Sequence, residues 1–333
     1  MVPLVSILIP AYNAEKWFAQ TMQSALDQTW SNKEIIVVDD GSTDGTLTVA
    51  RRYAAERVKV VTQPNQGASA ARNHAFTLAQ GDYIQWFDAD DLLAPDKVER
   101  QMAAVVQDDD PRILYSGAWG LFFYRISRAK FQPTPLWEDL SPAEWLYRKM
   151  AFNLHMQPDS WLVSRELTEK AGPWDTTLWR DNDGEYFGRV ISASSGIRFI
   201  PESRSYYRRS GQTSVSYVGT SMKKIESLYR SINLHIDYLL SLEDTERTRQ
   251  AVVAYITTWL YYFYPVRMDL VQRLQERAHS LGKTLPPPKL AFKYRAIRSM
   301  FGWEMAKRAK RTLPFFRATL ERSWDRICAA ISD

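Results

Sequence analysis

The sequence predicts an α/β protein: a mainly parallel sheet flanked by helices, followed by a helical extension in its C-terminal part. Three observations predict it. Over the first hundred residues, short apolar runs alternate with helical patterns of about ten to fifteen residues, as right-handed βαβ units require. The runs, such as Ile7-Leu8-Ile9 and Ile35-Ile36-Val37-Val38, are near-continuous in Ile, Val and Leu. Strands buried on both faces read this way. Beyond Ser221 the pattern turns mainly helical.

Taken in order, residues 4–9 read as the first strand and residues 14–28 as a helix. Residues 34–38 form the next strand, whose closing Asp39-Asp40-Gly41-Ser42-Thr43 turns into a helix ending near Ala55. Residues 58–62, 67–79 and 83–87 continue as strand, helix and strand. After Asp91 the regularity falls. Residues 95–107 and 143–150 read as helices; 113–116, 121–126 and 197–208 read as strands. Gly282-Lys283-Thr284-Leu285-Pro286-Pro287-Pro288 is a linker, because consecutive prolines favour an extended chain. These features suggest a unit over residues 1–215 and an extension over 216–333.

Composition narrows the function classes. The 333 residues are 45% hydrophobic and 13% aromatic, with 12 Trp and 17 Tyr. The lone Cys328 excludes an intrachain disulfide and a thiolate metal cluster, in keeping with a cytoplasmic location. The apolar N-terminus has no basic flank or small-residue cleavage pattern, so it reads as a strand and not a leader. No apolar run is long enough for a membrane-spanning helix. Residues 216–333 hold 20 Lys and Arg against 11 Asp and Glu, whereas residues 1–215 are net negative. A basic tail suits an anionic surface, and an acidic N-terminal part speaks against nucleic acid as a partner.

Two acidic clusters carry the chemistry. Asp39-Asp40 closes the strand over residues 34–38, and Asp88-Ala89-Asp90-Asp91 closes the strand over residues 83–87. Crowded carboxylates repel and are costly to bury without a cation or donors. Open parallel sheets bind ligands outside the carboxyl ends of their strands. Together these point to a nucleotide diphosphate bound through a divalent cation.

Four segments in order resemble the family 2 glycosyltransferases of GT-A fold: Val5-Ser6-Ile7-Leu8-Ile9-Pro10-Ala11-Tyr12-Asn13, the run from Glu34 to Thr46, Gly67-Ala68-Ser69-Ala70-Ala71-Arg72-Asn73, and Phe87-Asp88-Ala89-Asp90-Asp91. The likeness is strong to about residue 100 and looser to 215. It implies an inverting transferase using a nucleoside-diphosphate sugar, with a UDP-sugar as donor and a glycan or lipid-linked glycan as acceptor. Pro10, Tyr12, Asp39, Arg72 and Asp88 would then bind the nucleotide, Asp39 accepting from the base and Tyr12 stacking on it. Asp90 and Asp88 would hold Mn²⁺ or Mg²⁺, which hard oxygen ligands suit. The α-helix opening at Gly67 offers N–H groups to phosphate, and Asp44 is the expected cap of the preceding helix.

Gly172-Pro173-Trp174-Asp175 and the acidic run after it resemble the family's acceptor-side element, which implies Asp183 as the base, with Asp181 and then Glu185 as alternatives. Asn182 stands where the family has an acid, and Ser210 stands where it often has a histidine, leaving Arg208 or Arg209 to neutralise the diphosphate. His155 is a further candidate near the acceptor. In the tail, Leu313, Phe316, Leu320, Trp324, Ile327 and Ile331 make one apolar face, with Pro314 at its start and Lys307-Arg308-Ala309-Lys310-Arg311 upstream. Both an anionic membrane at the inner face of the cytoplasmic membrane and docking on the catalytic unit account for that stripe. A nucleotidyltransferase is the rival activity, but it should carry a Gly-rich basic loop after the first strand, where Pro10-Ala11-Tyr12-Asn13 stands. A catalytically weak binding module is the non-enzymatic alternative.

Overall fold

The computed structural model describes residues 2–108, 110–209, 221–288 and 292–332, without the side chains of 293, 304, 310–320 and 330–332. The order is β1 (Val5–Ala11), α1 (Glu15–Leu26), β2 (Lys33–Asp39), α2 (Thr46–Arg51), β3 (Val58–Thr62), α3 (Ala68–Leu78), β4 (Tyr83–Trp86) and β5 (Leu92–Leu93). There follow α4 (Lys97–Val105), β6 (Ile113–Phe122), β7 (Lys130–Phe131), α5 (Pro142–Phe152), β8 (Trp161–Ser164), α6 (Arg165–Ala171), α7 (Asn182–Ala193) and β9 (Gly196–Arg208). Four helices complete the chain: α8 (Met222–Leu242), α9 (Glu246–Phe263), α10 (Met268–Ser280) and α11 (Phe292–Ser332).

The strands form one sheet in the order β3-β2-β1-β4-β8-β6-β9-β5, with β7 paired to β6. β1 pairs in parallel with both β2 and β4, and β2 pairs in parallel with β3. β8 runs antiparallel to both its neighbours, while β6 and β9 are parallel. The expected α/β class with a helical C-terminal part is what the chain forms.

Alternation along the strands divides the core. Ile7, Ile9, Ile35 and Val37 pack with α1 and α4 on one face. Leu8, Ile36, Val38 and Trp86 pack with α3, α5 and α7 on the other, and there the core runs on without a break into Leu228, Ile232, Val252 and Ile256 of α8 and α9. Residue 215, where a boundary was expected, lies outside the described residues.

Two departures have local causes. The expected strands at 113–116 and 121–126 are one strand, β6, with a register shift against β9 between Gly117 and Ala118. A Cβ at Gly117 would lie 2.3 Å from the Ser203 carbonyl oxygen, so only glycine lets the ladder continue. The tail helix begins at Phe292 and not at Pro314, and its break is at Gly302, where φ is +77°.

Candidate active site

Because β1, β2 and β4 are parallel neighbours, their carboxyl ends open on one edge. Ala11 lies opposite Asp39, and Leu8 opposite Trp86, so the turn after Phe87 opens beside Pro10. Tyr12 follows β1 with an exposed ring. Asp39 is 1% exposed. Its Oδ2 accepts from Thr62 Oγ1 at 2.9 Å and from the Ser42 amide at 3.4 Å, while Oδ1 is buried with no partner. A buried carboxylate oxygen without a donor carries a desolvation cost that a ligand N–H removes.

Asp40 is the opposite case. It accepts from Gln63 Nε2 at 2.7 Å and from the amides of Gln66 and Gly67 at 2.9 and 2.8 Å. The N-terminus of α3, expected to face phosphate, therefore already carries an anion from the chain itself. Asp44, expected as the cap of α2, stands one residue before its N-cap Gly45 and accepts from the Thr46 amide at 3.0 Å. Arg72, on α3, is buried. It pairs with Asp88 Oδ1 at 2.6 Å and lies 4.3 Å over the Trp174 ring. Its charge is thus directed at a site carboxylate within the chain.

Beyond β4, carboxylates accumulate. Asp88 and Asp90 are half-buried, and Asp91 is fully buried, with Oδ2 unpartnered. Burial, then Asp159, Asp90 and Asp88, push the Asp91 carboxyl well above the usual range. Asp159, on the turn before β8, is fully buried with both oxygens unpartnered. Burial and Asp88 raise it, against the pull of Lys97. Lys97 is itself buried, donates to Gln85 Oε1 and the Trp161 carbonyl, and is lowered by that burial.

No three His, Cys, Asp or Glu side chains converge as a metal cage among the described residues. The donor set at Asp88 and Asp90 is hard oxygen in a cluster of excess negative charge. It fits a Mn²⁺ or Mg²⁺ ion whose remaining ligands come from a diphosphate. Ser210 lies outside the described residues.

The third part comes from α7. Asp181, in the left-handed region at φ 57°, precedes it, and Asp183 lies in its first turn. Asp181 Oδ2 accepts from Ser231 Oγ at 2.8 Å and lies 3.8 Å from His235 Nδ1. Burial works against ionisation of Asp181, but His235, Lys149, Ser231 and Arg180 bring its carboxyl below the ordinary range. His235 is buried and bonded to the Tyr255 hydroxyl at 2.9 Å, and burial pulls it down to about 4. Asp183 goes the other way: burial first, then Asp181, raise it, and Arg72 opposes. A Cβ at Gly184, next after Asp183, would lie 2.2 Å from Asp181 Oδ1, so a larger residue there would displace that carboxylate. Asn182 bridges to α3 through Ser69 Oγ at 3.0 Å.

Glu185, the third candidate base, is held by Arg189 Nε at 2.7 Å and the Tyr238 hydroxyl at 2.8 Å. Arg208 is buried in the protein with its donors occupied, so it is not the cation facing a diphosphate. His155 is exposed beside Trp119, with ring centroids 5.4 Å apart.

The model of the family described as Glycosyl transferase family 2 matches residues 6–160. Residues 6–160 thus carry a family 2 glycosyltransferase domain. Among curated relatives, an uncharacterized glycosyltransferase of Haemophilus influenzae is 44% identical over 110 residues, 32% of this chain and 44% of that protein. A chondroitin synthase of Escherichia coli is 47% identical over 100 residues, 29% of this chain and 15% of that protein. The chain thus spans less than half the length of these relatives. The crystal structure of S. aureus TarS 1–349 in complex with UDP-GlcNAc superposes with a TM-score of 0.66 at 17% identity, covering 92% of this chain and 91% of that one. The shared architecture is GT-A-like.

Sequence reading missed several groups that build this glycosyltransferase domain. Asp159 and Lys97 belong to none of the recognised segments. Asn73, by contrast, stands in a recognised segment, and its partner was the missing piece: its side chain clasps the main chain of Trp174, accepting from the amide at 2.8 Å and donating to the carbonyl at 2.9 Å.

Proposed function

We propose that the chain transfers a sugar from a nucleoside-diphosphate donor, a UDP-sugar, to an acceptor hydroxyl of a glycan or lipid-linked glycan, by direct displacement with inversion. The observation that carries this reading is the buried, unpartnered Asp39 Oδ1 at the same sheet edge as Asp88 and Asp90. A uracil ring offers the N–H that Asp39 lacks. Pro10 and Tyr12 line the base, with Tyr12 stacking on it, and Asp88 faces the ribose while paired to Arg72. Asp90, with Asp88, holds Mn²⁺ or Mg²⁺, which when bound supplies the positive charge that stabilises a departing diphosphate.

Asp183 takes the proton from the acceptor hydroxyl as that oxygen bonds to the anomeric carbon. The bond from that carbon to the diphosphate oxygen breaks, and its electron pair leaves with the nucleotide. A raised carboxyl is the better proton acceptor near neutral pH. Asp181, held ionised, raises Asp183 and remains the second candidate base. The relative named as a chondroitin synthase supports a glycan product, and the UDP-GlcNAc complex of TarS supports a UDP-linked donor.

Residues 1–215 are the catalytic unit in this reading, and residues 216–333 the extension. No described helix is long and apolar enough to cross a membrane. On α11, Met300, Phe301, Trp324 and Ile327 are exposed. Beside the tail's basic residues, they suit an anionic bilayer at the cytoplasmic face. Turnover of UDP-, GDP- and dTDP-sugars, measured with Mn²⁺ and again with EDTA, tests the reading. Consumption of UDP-sugars in Mn²⁺ alone, with an inverted anomeric product by NMR, is the expected result. Preference for another base, or full turnover in EDTA, overturns it.

A further inference from the structure

The turn carrying Asp88 and Asp90 is gripped from below by one side chain. Arg208, the last residue of β9, is 1% exposed. Its amide donates to Asp91 Oδ1 at 2.6 Å, and its Nε to the Asp90 carbonyl at 2.7 Å. Nη2 donates to Gln20 Oε1 at 2.8 Å, and Nη1 lies 3.5 Å from the Phe123 carbonyl. The guanidinium is sandwiched between the rings of Trp17 and Phe122, at 4.2 and 4.4 Å. A buried cation persists only when donors and surroundings satisfy it to this degree. The fork is rigid and planar, so it fixes the direction of the Asp90 backbone, and with it the Asp90 side chain, in a way that a single flexible ammonium does not.

The cage has a second layer. Trp17 meets Tyr124 edge-on at 5.4 Å, and Lys16 Nζ lies over both rings, at 4.3 and 5.0 Å. Asp325 of α11 is 7% exposed and grips the chain at that point. It accepts from the amides of Tyr124 and Arg125 at 3.0 and 3.3 Å and from Arg125 Nε at 2.7 Å. The tail helix is thereby pinned to the segment that immediately follows Phe122.

We infer that Arg208 is a positioning residue for the Asp88–Asp90 turn and that Asp325 of the C-terminal helix completes its cage, making the tail part of the scaffold of the donor site. The inference rests on the reading that this turn binds a nucleoside diphosphate through a cation. First-layer groups need support of this kind, since a looseness of about 1 Å is enough to lose a site.

The test is calorimetric binding of UDP to the full chain, in Mn²⁺ and in EDTA, for wild type, Arg208→Lys and Asp325→Asn. Wild type binds UDP more tightly in Mn²⁺. Arg208→Lys keeps the charge and loses the fork, and it should lose about tenfold or more of that gain, from the hydrogen bonds forfeited. Its affinity in EDTA, set by Asp39 and Tyr12, should stay unchanged. Asp325→Asn should lose a smaller part, about threefold, again in Mn²⁺ alone. Equal losses in Mn²⁺ and EDTA would mean a general structural role and overturn the inference, as would a Mn²⁺ gain unchanged in Asp325→Asn, which decides the matter even where Arg208→Lys does not fold. A wild type whose UDP affinity ignores Mn²⁺ instead fails the metal reading itself, before any variant is compared.

Discussion

At the end of β2, Asp40 gives its carboxylate to three donors and Asp39 keeps one buried oxygen open. Past the end of β4, the ratio reverses: Asp91 and Asp159 are fully buried, together have three carboxylate oxygens without a donor, and are both raised by burial and by their acidic neighbours. The same residue type thus does two jobs on one sheet edge. The first cluster is a finished frame with a single opening, suited to reading one N–H of a base. The second stores electrostatic repulsion, which in the proposed reading a cation would relieve.

The comparison predicts its own failures. Asp90→Asn should abolish transfer and the Mn²⁺-dependent part of UDP binding while leaving the melting temperature unchanged or higher, because repulsion falls. Retention of activity in this variant would mean that the second cluster is not where the cation acts. Asp183→Asn should lower kcat by ~10²-fold or more at near-normal donor affinity. Because burial and Asp181 raise Asp183, the base form accumulates only above the usual carboxylate range, so kcat in wild type should fall with acid at a higher pH than an ordinary aspartate gives. An inactive Asp181→Asn beside an active Asp183→Asn would reassign the base.

Stability should separate the clusters by sign. Asp40→Ala strands two amides and the Gln63 amide group, a loss of about 3 kcal/mol, visible in urea melts. Asp91 has a raised folded-state pKa, so the stability it contributes is present in acid, below the unfolded pKa, and lost as pH rises through the folded one. Asp91→Asn should therefore be neutral in acid and stabilising at pH 7. Destabilisation at pH 7 would mean that the ionised form is the favoured one. The last effect concerns the tail. Replacing Lys307, Arg308, Lys310 and Arg311 by Gln should weaken co-sedimentation with anionic vesicles by up to ~1 kcal/mol per residue, and high salt should mimic it. Wild type that never co-sediments would leave α11 with its docking role through Asp325 alone.

The donor half was legible because each of its signals is local. A strand such as Val58–Thr62 is visible as one apolar run, and Asp39 and Asp88 sit where such runs stop. What escaped were residues whose meaning depends on distant partners. Nothing near Lys97 in sequence marks it as buried beneath Asp159, and Asn73 meets Trp174 only after the fold brings α3 to the segment before α7. Glu185 read as a free acid because Tyr238 lies on α8. Arg208 read as a cation for the ligand because a sequence does not show which way a strand's last side chain turns. The merged β6 shows the same limit, since Gly117 signals a break until β9 is seen to lie against it.

Diffraction from crystals grown with UDP and Mn²⁺ tests the joint role of the two clusters most directly. The account predicts an anomalous manganese peak coordinated by Asp90, with the diphosphate on the same ion and the uracil N3–H directed at Asp39 Oδ1. Manganese bound away from Asp88 and Asp90, or a nucleotide whose base leaves Asp39 Oδ1 unpartnered, would contradict it.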